Sequence, residues 1–144
     1  MKKFTIKANK YLDREVKGYY HCEYIGYQKR GNPDFINRLK NMSKQYSETD
    51  LVEDFVTVAE KLTADLKSIV GTHKHSDYII CTIPRSKTDK SYSQSQLMFK
   101  KAVSSVADSL GFKNGTNAIK RIKNTKTSTT GGLKTILEMI HILE

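Results

Sequence analysis

The stretch PRSK, residues 84–87, places two cations and a hydroxyl directly after an apolar run. Guanidinium and ammonium groups bind phosphate oxygens strongly, and backbone N–H groups exposed after a strand can form a nest for an anion. Arg85, Ser86 and Lys87 therefore favour the binding of a phosphate or diphosphate. The stretch lacks glycine, and no GxxxxGK[ST] pattern occurs in the chain, which excludes a Walker loop. The alternative interpretation is an exposed basic turn.

Positive charge is concentrated around this stretch. The chain has 25 Lys plus Arg and 15 Asp plus Glu, for a formal charge of +10. Residues 85–126 contain ten Lys or Arg and two acids, so 10 − 2 = +8 of that charge lies there. Such a field attracts phosphates, whether on a small metabolite or on nucleic acid. A solubilising surface is the alternative.

Other residues that could bind a ligand or take part in catalysis form weaker patterns. NTKTSTTGG, residues 124–132, has the threonines and glycines of a loop that grips a 5-phosphate, but no buried acidic strand precedes it. We interpret it as a mobile basic loop. His73 and His75 with the two cysteines do not make the three or four convergent ligands that a metal site needs, so no metal site of the protein's own is predicted. No pattern places a base beside a nucleophile, so no catalytic residue is assigned.

Tyrosines interspersed with lysine and arginine are a further candidate. They could serve as stacking platforms for the bases of a single strand. The preferred interpretation is that they are half-buried sheet residues with solvated hydroxyls. The tyrosines concerned are Tyr19, Tyr20, Tyr24, Tyr27 and Tyr92.

The elements in the first half are predicted from composition and periodicity. Residues 4–7 and 18–27 are rich in aromatic and β-branched residues and predict paired strands. Asn32 predicts the N-cap of a short helix that runs to about Gln45. SETD resembles a capping box, and the apolar spacing of three and four behind it predicts an amphipathic helix over 48–69.

The second half has the pattern of an α/β sheet with crossover helices. Residues 78–83 are apolar without alternation, which predicts a strand covered on both faces and ended by Pro84. A helix is predicted over 96–112 and a short strand over 118–122. LKTILEMIHIL, residues 133–143, predicts a helix, with a strand as the alternative. In such sheets ligands bind at the carboxyl ends of strands, which is where PRSK lies.

Size and composition limit the class of protein. A chain of 144 residues suits one domain. No apolar run reaches 18 residues, and the charged N-terminus lacks the apolar stretch of a signal peptide, which predicts a cytoplasmic protein with no membrane span. Cys22 and Cys81 are expected to be reduced.

From Asp77 onward, the chain resembles the first half of a ComF-like (amidophosphoribosyltransferase-related) type I phosphoribosyltransferase. YIICTIPRSK is similar to the strand and I/V-P turn of that family, and KSYSQSQLMFKKAV to its basic helix opening, with Lys90 and Gln94 in matching places. Ser91 and Ser93 stand where the family has Gly and Asn. AIKRIKNTKTSTTGG is similar to its next strand and mobile loop, with Arg121 and Thr125 at matching positions.

This resemblance implies a fold and a site. The fold is α/β: a partial phosphoribosyltransferase-like sheet with crossover helices, preceded by a small N-terminal β-hairpin and helix, in a single domain over 1–144. Arg85, Ser86 and Lys87 would bind the diphosphate of phosphoribosyl diphosphate, with Mg²⁺ bridging its oxygens. The mobile-loop residues implied by the resemblance are Lys90, Gln94, Arg121, Lys123, Thr125 and Lys126.

The family's ribose-phosphate signature, a buried acidic strand followed by Thr-Thr-Gly, does not occur in the sequence. The resemblance therefore implies a protein of nucleotide metabolism that binds a phosphorylated ligand and is incomplete or inactive alone. Transferase activity of the glycosyltransferase class would need a missing segment, a dimer or a completing partner chain. The alternative function is a single-stranded nucleic-acid-binding module with a basic surface.

Overall fold

A computed structural model of the chain describes residues 1–20, 31, 33–40, 46–94 and 97–124. The fold is mixed α/β, and the chain divides into two compact units, Met1–Asn37 and Arg38–Glu144. The predictions for Asn32, for residues 21–27, for the end of the first helix at 41–45 and for everything beyond residue 124 lie outside the described residues.

The first unit contains an antiparallel hairpin. Strand β1, Lys2–Ile6, pairs with β2, Val16–Tyr20, which confirms the predicted pairing of two N-terminal strands. Phe4 faces Gly18 across the ladder, and its ring occupies the space that a Cβ at Gly18 would need. The same ring lies 6.0 Å from that of Tyr20. Glycine at position 18 therefore lets the aromatic side chain fold over the strand.

Helix α1, Asp34–Lys40, contains the boundary between the units and carries Arg38 to helix α2. Arg38 Nε donates to both carboxylate oxygens of Asp54, at 2.8 and 3.0 Å, and Nη2 donates to Oδ1. Asp54 is only 1% exposed. The hydrogen bonds to Asp54 raise the pKa of the Arg38 guanidinium above its ordinary value. A carboxylate this buried requires such a partner, because desolvation of a lone charge is costly.

Helix α2 spans Glu48–Val70, as the apolar spacing predicts. The Ser47 hydroxyl accepts from the Asp50 N–H, and the Asp50 carboxylate accepts from the Ser47 N–H at 3.1 Å, so the predicted capping box is confirmed. The hydrogen bond from the Ser47 hydroxyl is the main reason that the pKa of Asp50 lies below its ordinary value. Gly71 follows the helix with a positive φ of 61° and donates to the Lys67 carbonyl.

The second unit also contains a small β–α–β crossover. Strand β3, Ile79–Ile80, leads through a loop to helix α3, Met98–Leu110, and then to β4, Lys113–Asn114. The two strands are parallel, with Ile79 beside Lys113 and Ile80 beside Asn114. Gly111 ends α3 in the left-handed conformation that favours glycine. The predicted helix and the crossover connection are confirmed.

The core of the second unit lies where α3 packs against α2 and β4. Ala102 and Ala107 of α3 are completely buried, and their small side chains allow the helix to approach its neighbours closely. Val70, Ala107 and Phe112 form a buried cluster against which Leu66, Ile80 and Leu110 pack. None of the described helices combines the length and the apolar character that a membrane crossing requires.

Two strand predictions are wrong. The apolar run over 78–83 forms a strand only at Ile79–Ile80, and it is not covered on both faces, since Ile79 is 57% and Ile83 is 85% exposed. Residues 118–122 form turns and bends, because the Ala118 N–H donates to the Gly115 carbonyl and Ile122 is 93% exposed. The second parallel strand comes earlier, at Lys113–Asn114, directly after Phe112 anchors the chain in the core.

We expect the Arg38–Asp54 pair to stabilise the second unit, to which both residues belong. Asp54→Asn removes the buried counter-ion of Arg38 and leaves the contact of Arg38 Nη1 with Asp50 Oδ1 at 3.9 Å. It should lower the free energy of unfolding by about 2 kcal/mol, because charged hydrogen bonds are lost. Urea denaturation followed by circular dichroism measures this change. Glu60→Gln, the same charge change at an exposed position of α2, should cost less than about 0.5 kcal/mol.

A double variant distinguishes the effect of losing the ion pair from the effect of losing side-chain packing. Arg38→Met combined with Asp54→Met removes both charges, so it should be markedly more stable than the sum of the two single changes predicts. Additive losses would contradict the assignment of Asp54 as a buried, paired charge.

Candidate functional site

The predicted diphosphate-binding residues, Arg85, Ser86 and Lys87, lie in a loop that follows β3, residues 84–92, which we name the basic loop. The Arg85 guanidinium lies over the ring of Tyr92, with Cζ 4.9 Å from the ring centroid. Arg85 Nη1 also donates to the Leu39 carbonyl at 3.5 Å. Tyr92 is buried at 9% exposure. The stacking therefore holds Arg85 against the protein by a cation–π contact.

The same tyrosine fixes the backbone of the basic loop. Its hydroxyl accepts a hydrogen bond of 2.9 Å from the Lys87 N–H. The Thr88 N–H donates to Asn124 Oδ1 at 2.8 Å. Two of the amides that follow the strand are thus already bonded to the protein's own side chains. Because these two amides already have partners, an anion at this loop would bind to the cationic side chains more readily than to a nest of backbone N–H groups.

A second segment, residues 120–124, lies along the basic loop. Arg121 Nε donates to the Arg85 carbonyl at 2.5 Å. Asn124 bonds the Thr88 amide and also lies 3.3–3.4 Å from the Ser91 hydroxyl. Arg85 and Arg121 are 36 residues apart in sequence, and these contacts place the two segments that carry them side by side. The structure thus joins the two basic stretches that the sequence predicts for one site.

A turn over Asp89–Ser91 shapes the far end of the basic loop. The Ser91 N–H donates to the Thr88 carbonyl at 2.9 Å, and the two hydroxyls of these residues are 3.1 Å apart. Asp89 pairs with Lys100 at 2.5 Å, and Gln94 accepts a hydrogen bond from Lys101. Asp89 is half exposed, so this ion pair contributes little to stability. The ion pair nevertheless holds the Asp89 carboxylate beside Lys100 of α3.

The structure gives the positions of most of the predicted site residues. Arg85, Ser86, Lys87 and Lys90 lie in the basic loop, and Arg121 and Lys123 in the segment docked on it. Gln94 lies just beyond the loop, and the Lys101 contact ties it to α3. Thr125 and Lys126 lie outside the described residues.

The residues that organise the site are Tyr92 and Asn124. Tyr92 is predicted to be a half-buried sheet residue, with stacking on a base as the alternative. In the structure it is instead a buried residue of the basic loop, and the Arg85 guanidinium lies over its ring. Asn124 was not predicted to have any role. Its sequence context, a polar run of lysine, asparagine and threonine, carries no signal for a contact across 36 residues.

The histidines of the 73–75 loop have structural contacts. His75 Nδ1 lies 2.8 Å from the Leu110 carbonyl at the end of α3, and its ring stacks on Phe112 at 4.4 Å. The rings of His73 and Tyr78 pack edge to face, with centroids 6.5 Å apart. Among the described residues, no group of three or more His, Cys, Asp or Glu side chains is placed to hold a metal ion.

The hairpin in the first unit carries a second basic surface. Lys3 and Tyr19 are opposite one another on one face, with Lys3 Nζ 5.8 Å from the tyrosine ring centroid, and Lys17 follows on the same face. The opposite face carries Phe4, Ile6 and Val16, and it also carries Lys2, whose Nζ lies 5.8 Å from the Tyr20 ring centroid. A lysine and a tyrosine ring therefore meet on both faces of the ribbon, and the face of Lys3, Lys17 and Tyr19 is the one without large aliphatic side chains.

Comparison with known proteins does not assign a family. The chain matches no family model, and neither the curated proteins nor the solved structures give a significant match. The resemblance to phosphoribosyltransferases therefore stays a prediction based on the quoted sequence motifs.

We expect the hydrogen bond from the Lys87 N–H to the Tyr92 hydroxyl to stabilise the backbone of the basic loop. Tyr92→Phe keeps the ring against Arg85 but removes the acceptor for the Lys87 N–H, so local opening should become easier by about 1 kcal/mol. Amide hydrogen exchange measured by NMR should show faster exchange at Lys87. Tyr11→Phe, at an exposed tyrosine of the hairpin region, is the control and should leave Lys87 unchanged. Unchanged exchange in Tyr92→Phe would contradict this role.

Proposed function

We propose that the chain binds a phosphorylated small molecule, phosphoribosyl diphosphate or a nucleotide, at the basic loop. The observation that carries the proposal is the Arg121–Arg85 contact, which places two cationic segments of distant sequence side by side after a parallel strand. Phosphate oxygens prefer guanidinium and ammonium donors of this kind. The position after β3 also agrees with the strand ends at which ligands bind in α/β proteins.

The exposed lysines are the proposed direct contacts. Lys87 and Lys90 are exposed, whereas Arg85 is partly buried against Tyr92. Arg85 and Arg121 would then set the shape and charge of the loop, and the lysine ammonium groups would reach the phosphate oxygens. This division follows from the chemistry of the two cations, since the flexible lysine stem can follow a ligand while a stacked guanidinium stays in place.

Mg²⁺ enters the proposal only as a companion of a diphosphate. The carboxylate of the basic loop, Asp89, is already bonded to Lys100, so it is a poor ligand for a resident metal ion. A diphosphate supplies its own hard oxygen ligands for Mg²⁺. The proposed function is therefore ligand binding, and phosphoribosyl transfer would require the ribose-phosphate-binding part of the phosphoribosyltransferase site from another segment or partner.

Calorimetric titration of the full chain with phosphoribosyl diphosphate and Mg²⁺ tests this proposal. Each charged hydrogen bond contributes about 1.5–3 kcal/mol, so Lys87→Ala combined with Lys90→Ala should weaken binding at least about tenfold. The matched control is Lys61→Ala with Lys67→Ala, which removes the same charge from exposed positions of α2. It should change affinity much less. No heat at millimolar ligand, or equal losses in both pairs, would overturn the proposal.

A second candidate function, single-stranded nucleic-acid binding, is favoured by the hairpin. Lys3, Lys17 and Tyr19 share one face of the β1–β2 ribbon, which combines charges for the backbone with a ring for a base. This surface belongs to the first unit and is separate in sequence from the basic loop. The two functions therefore predict different sensitive residues.

Fluorescence anisotropy with a labelled oligothymidine tests the second candidate. Lys3→Ala with Lys17→Ala should weaken binding and reduce the salt slope by about 1.4, because each lost phosphate contact on a single strand contributes about 0.7. Lys61→Ala with Lys67→Ala is again the control of equal charge. An oligonucleotide that stays free at low salt would exclude this function, and equal effects of both pairs would assign binding to net charge alone.

A further inference from the structure

An apolar groove lies in the second unit between α2, α3 and the chain that continues from β3. Its volume is about 330 Å³, within the range of about 300–1,000 Å³ that is typical of small-molecule sites. Apart from Cys81 and Thr82, the lining is aliphatic or aromatic, and the Thr82 hydroxyl already donates to the Thr116 carbonyl at 3.5 Å. The groove therefore suits a hydrocarbon group better than a nucleobase, whose polar ring atoms need hydrogen-bond partners.

The basic loop borders this groove at two places. Ile83 lines the groove, and the chain reaches Arg85 two residues later. At the other end of the loop, Asp89 pairs at 2.5 Å with Lys100, which directly follows the groove-lining residue Phe99 in α3. The cations of the basic loop and the apolar lining are therefore parts of one continuous surface.

Exposed ammonium groups lie within reach of the groove. Lys87 follows Ile83 by four residues, and an extended chain of that length spans at most about 14 Å. Lys87 is exposed, and its flexible stem allows the ammonium group to approach a ligand in the groove. Lys90 is also exposed, and it follows Asp89, whose ion pair holds this part of the loop at the start of α3. A ligand with its hydrocarbon part in the groove would place an anionic group beside these lysines.

We propose that the groove and the basic loop form one site for a phosphate monoester of a single alkyl chain. The alkyl chain lies in the groove, and Lys87 and Lys90 bind the phosphate. This inference rests on the proposed binding of phosphate at the basic loop, and it adds the class of group that the phosphate carries.

The charge beside the groove selects this occupant over two others. An anionic group complements the exposed lysines of the basic loop. A second copy of this chain would bring the same cations to the groove, and like charges oppose such an association. The small concave volume fits one chain of a free amphiphile, whereas a bilayer would have to meet a broad apolar surface.

A series of n-alkyl phosphates tests the proposal, because the chain and the phosphate report on different parts of the site. Calorimetric titration of the full chain compares butyl, hexyl and octyl phosphate, each below the concentration at which micelles form. Full burial of one methylene raises affinity about fourfold, and in a groove open to solvent we expect at least about twofold. Octyl phosphate should therefore bind at least about tenfold more tightly than butyl phosphate. Equal affinities along the series would overturn the proposal.

A pair of substitutions at the rim tests the placement of the alkyl chain. Ile83 and Phe99 line the groove and are 85% and 46% exposed, so Ile83→Ser with Phe99→Ser removes apolar surface without opening the core. The preference for octyl over butyl phosphate should fall several-fold. Val52→Ser with Ile69→Ser, at exposed positions of α2 outside the groove, is the matched control and should retain the preference. Equal preferences in the two variants would overturn the proposal, and circular dichroism checks that the helices persist.

A second pair tests the placement of the phosphate. Lys87→Ala with Lys90→Ala should weaken binding of butyl and octyl phosphate by the same factor and leave the gain per methylene unchanged. Affinities that rise with chain length but do not respond to the lysine pair would overturn the shared site.

The outcome also distinguishes this inference from the proposed function. Phosphoribosyl diphosphate that binds through Lys87 and Lys90, with no gain along the alkyl series, would overturn this inference and leave the proposed function intact. Binding to vesicles of phosphatidylcholine with phosphatidic acid, without binding of monomeric octyl phosphate, would also overturn it, because the partner would then be a membrane surface.

Discussion

The close packing of α3 against α2 and β4 is the constraint on which the second unit depends. Two completely buried alanines, Ala102 and Ala107, allow α3 to approach its neighbours, and Phe112 then anchors the chain just before β4. Because β4 pairs in parallel with β3, the position of α3 fixes the short sheet. The sheet in turn fixes where the basic loop begins. A larger side chain at either alanine would therefore disturb a chain of contacts that ends at the candidate site.

The basic loop is organised by the protein's own polar groups. Tyr92 contacts both the Arg85 guanidinium and the Lys87 amide, and Asn124 accepts from Thr88. These bonds satisfy amides that an anion nest would otherwise offer, and they hold cationic side chains in a defined arrangement. A preformed arrangement lowers the entropic cost of binding, whereas a loop that must be ordered by its ligand loses that part of the affinity. The proposed ligand site is therefore one of cationic side chains on a fixed backbone.

Apolar surface remains the main feature that the described elements do not explain. Residues 79–83 follow an apolar pattern suited to a covered strand, yet Ile79 and Ile83 are largely exposed in the structure. The helices pack against one side of this stretch, where Ile80 joins the core. The exposed apolar side chains of residues 79–83 and the cations of the basic loop are therefore adjacent along the chain.

The sequence by itself determined the local elements whose signals are short in range. The capping box at Ser47 and Asp50 and the apolar face of α2 are encoded by residues three or four positions apart, and the structure has them where they are predicted. The crossover from β3 through α3 to a parallel strand was also predictable from the order of patterns. The second strand is not at 118–122, as predicted, because the chain already pairs with β3 at Lys113–Asn114, directly after Phe112 enters the core.

Only the tertiary structure decided which distant groups meet. Nothing local indicates that Asn124 accepts from Thr88, that Arg121 bonds the Arg85 carbonyl, or that Asp54 is buried against Arg38. Each of these contacts joins residues that are 16 or 36 positions apart. Their geometry follows from how helices and strands pack, and side-chain type alone does not specify it. The chemical character of the basic loop was thus readable from its residues, while its partners were set by packing.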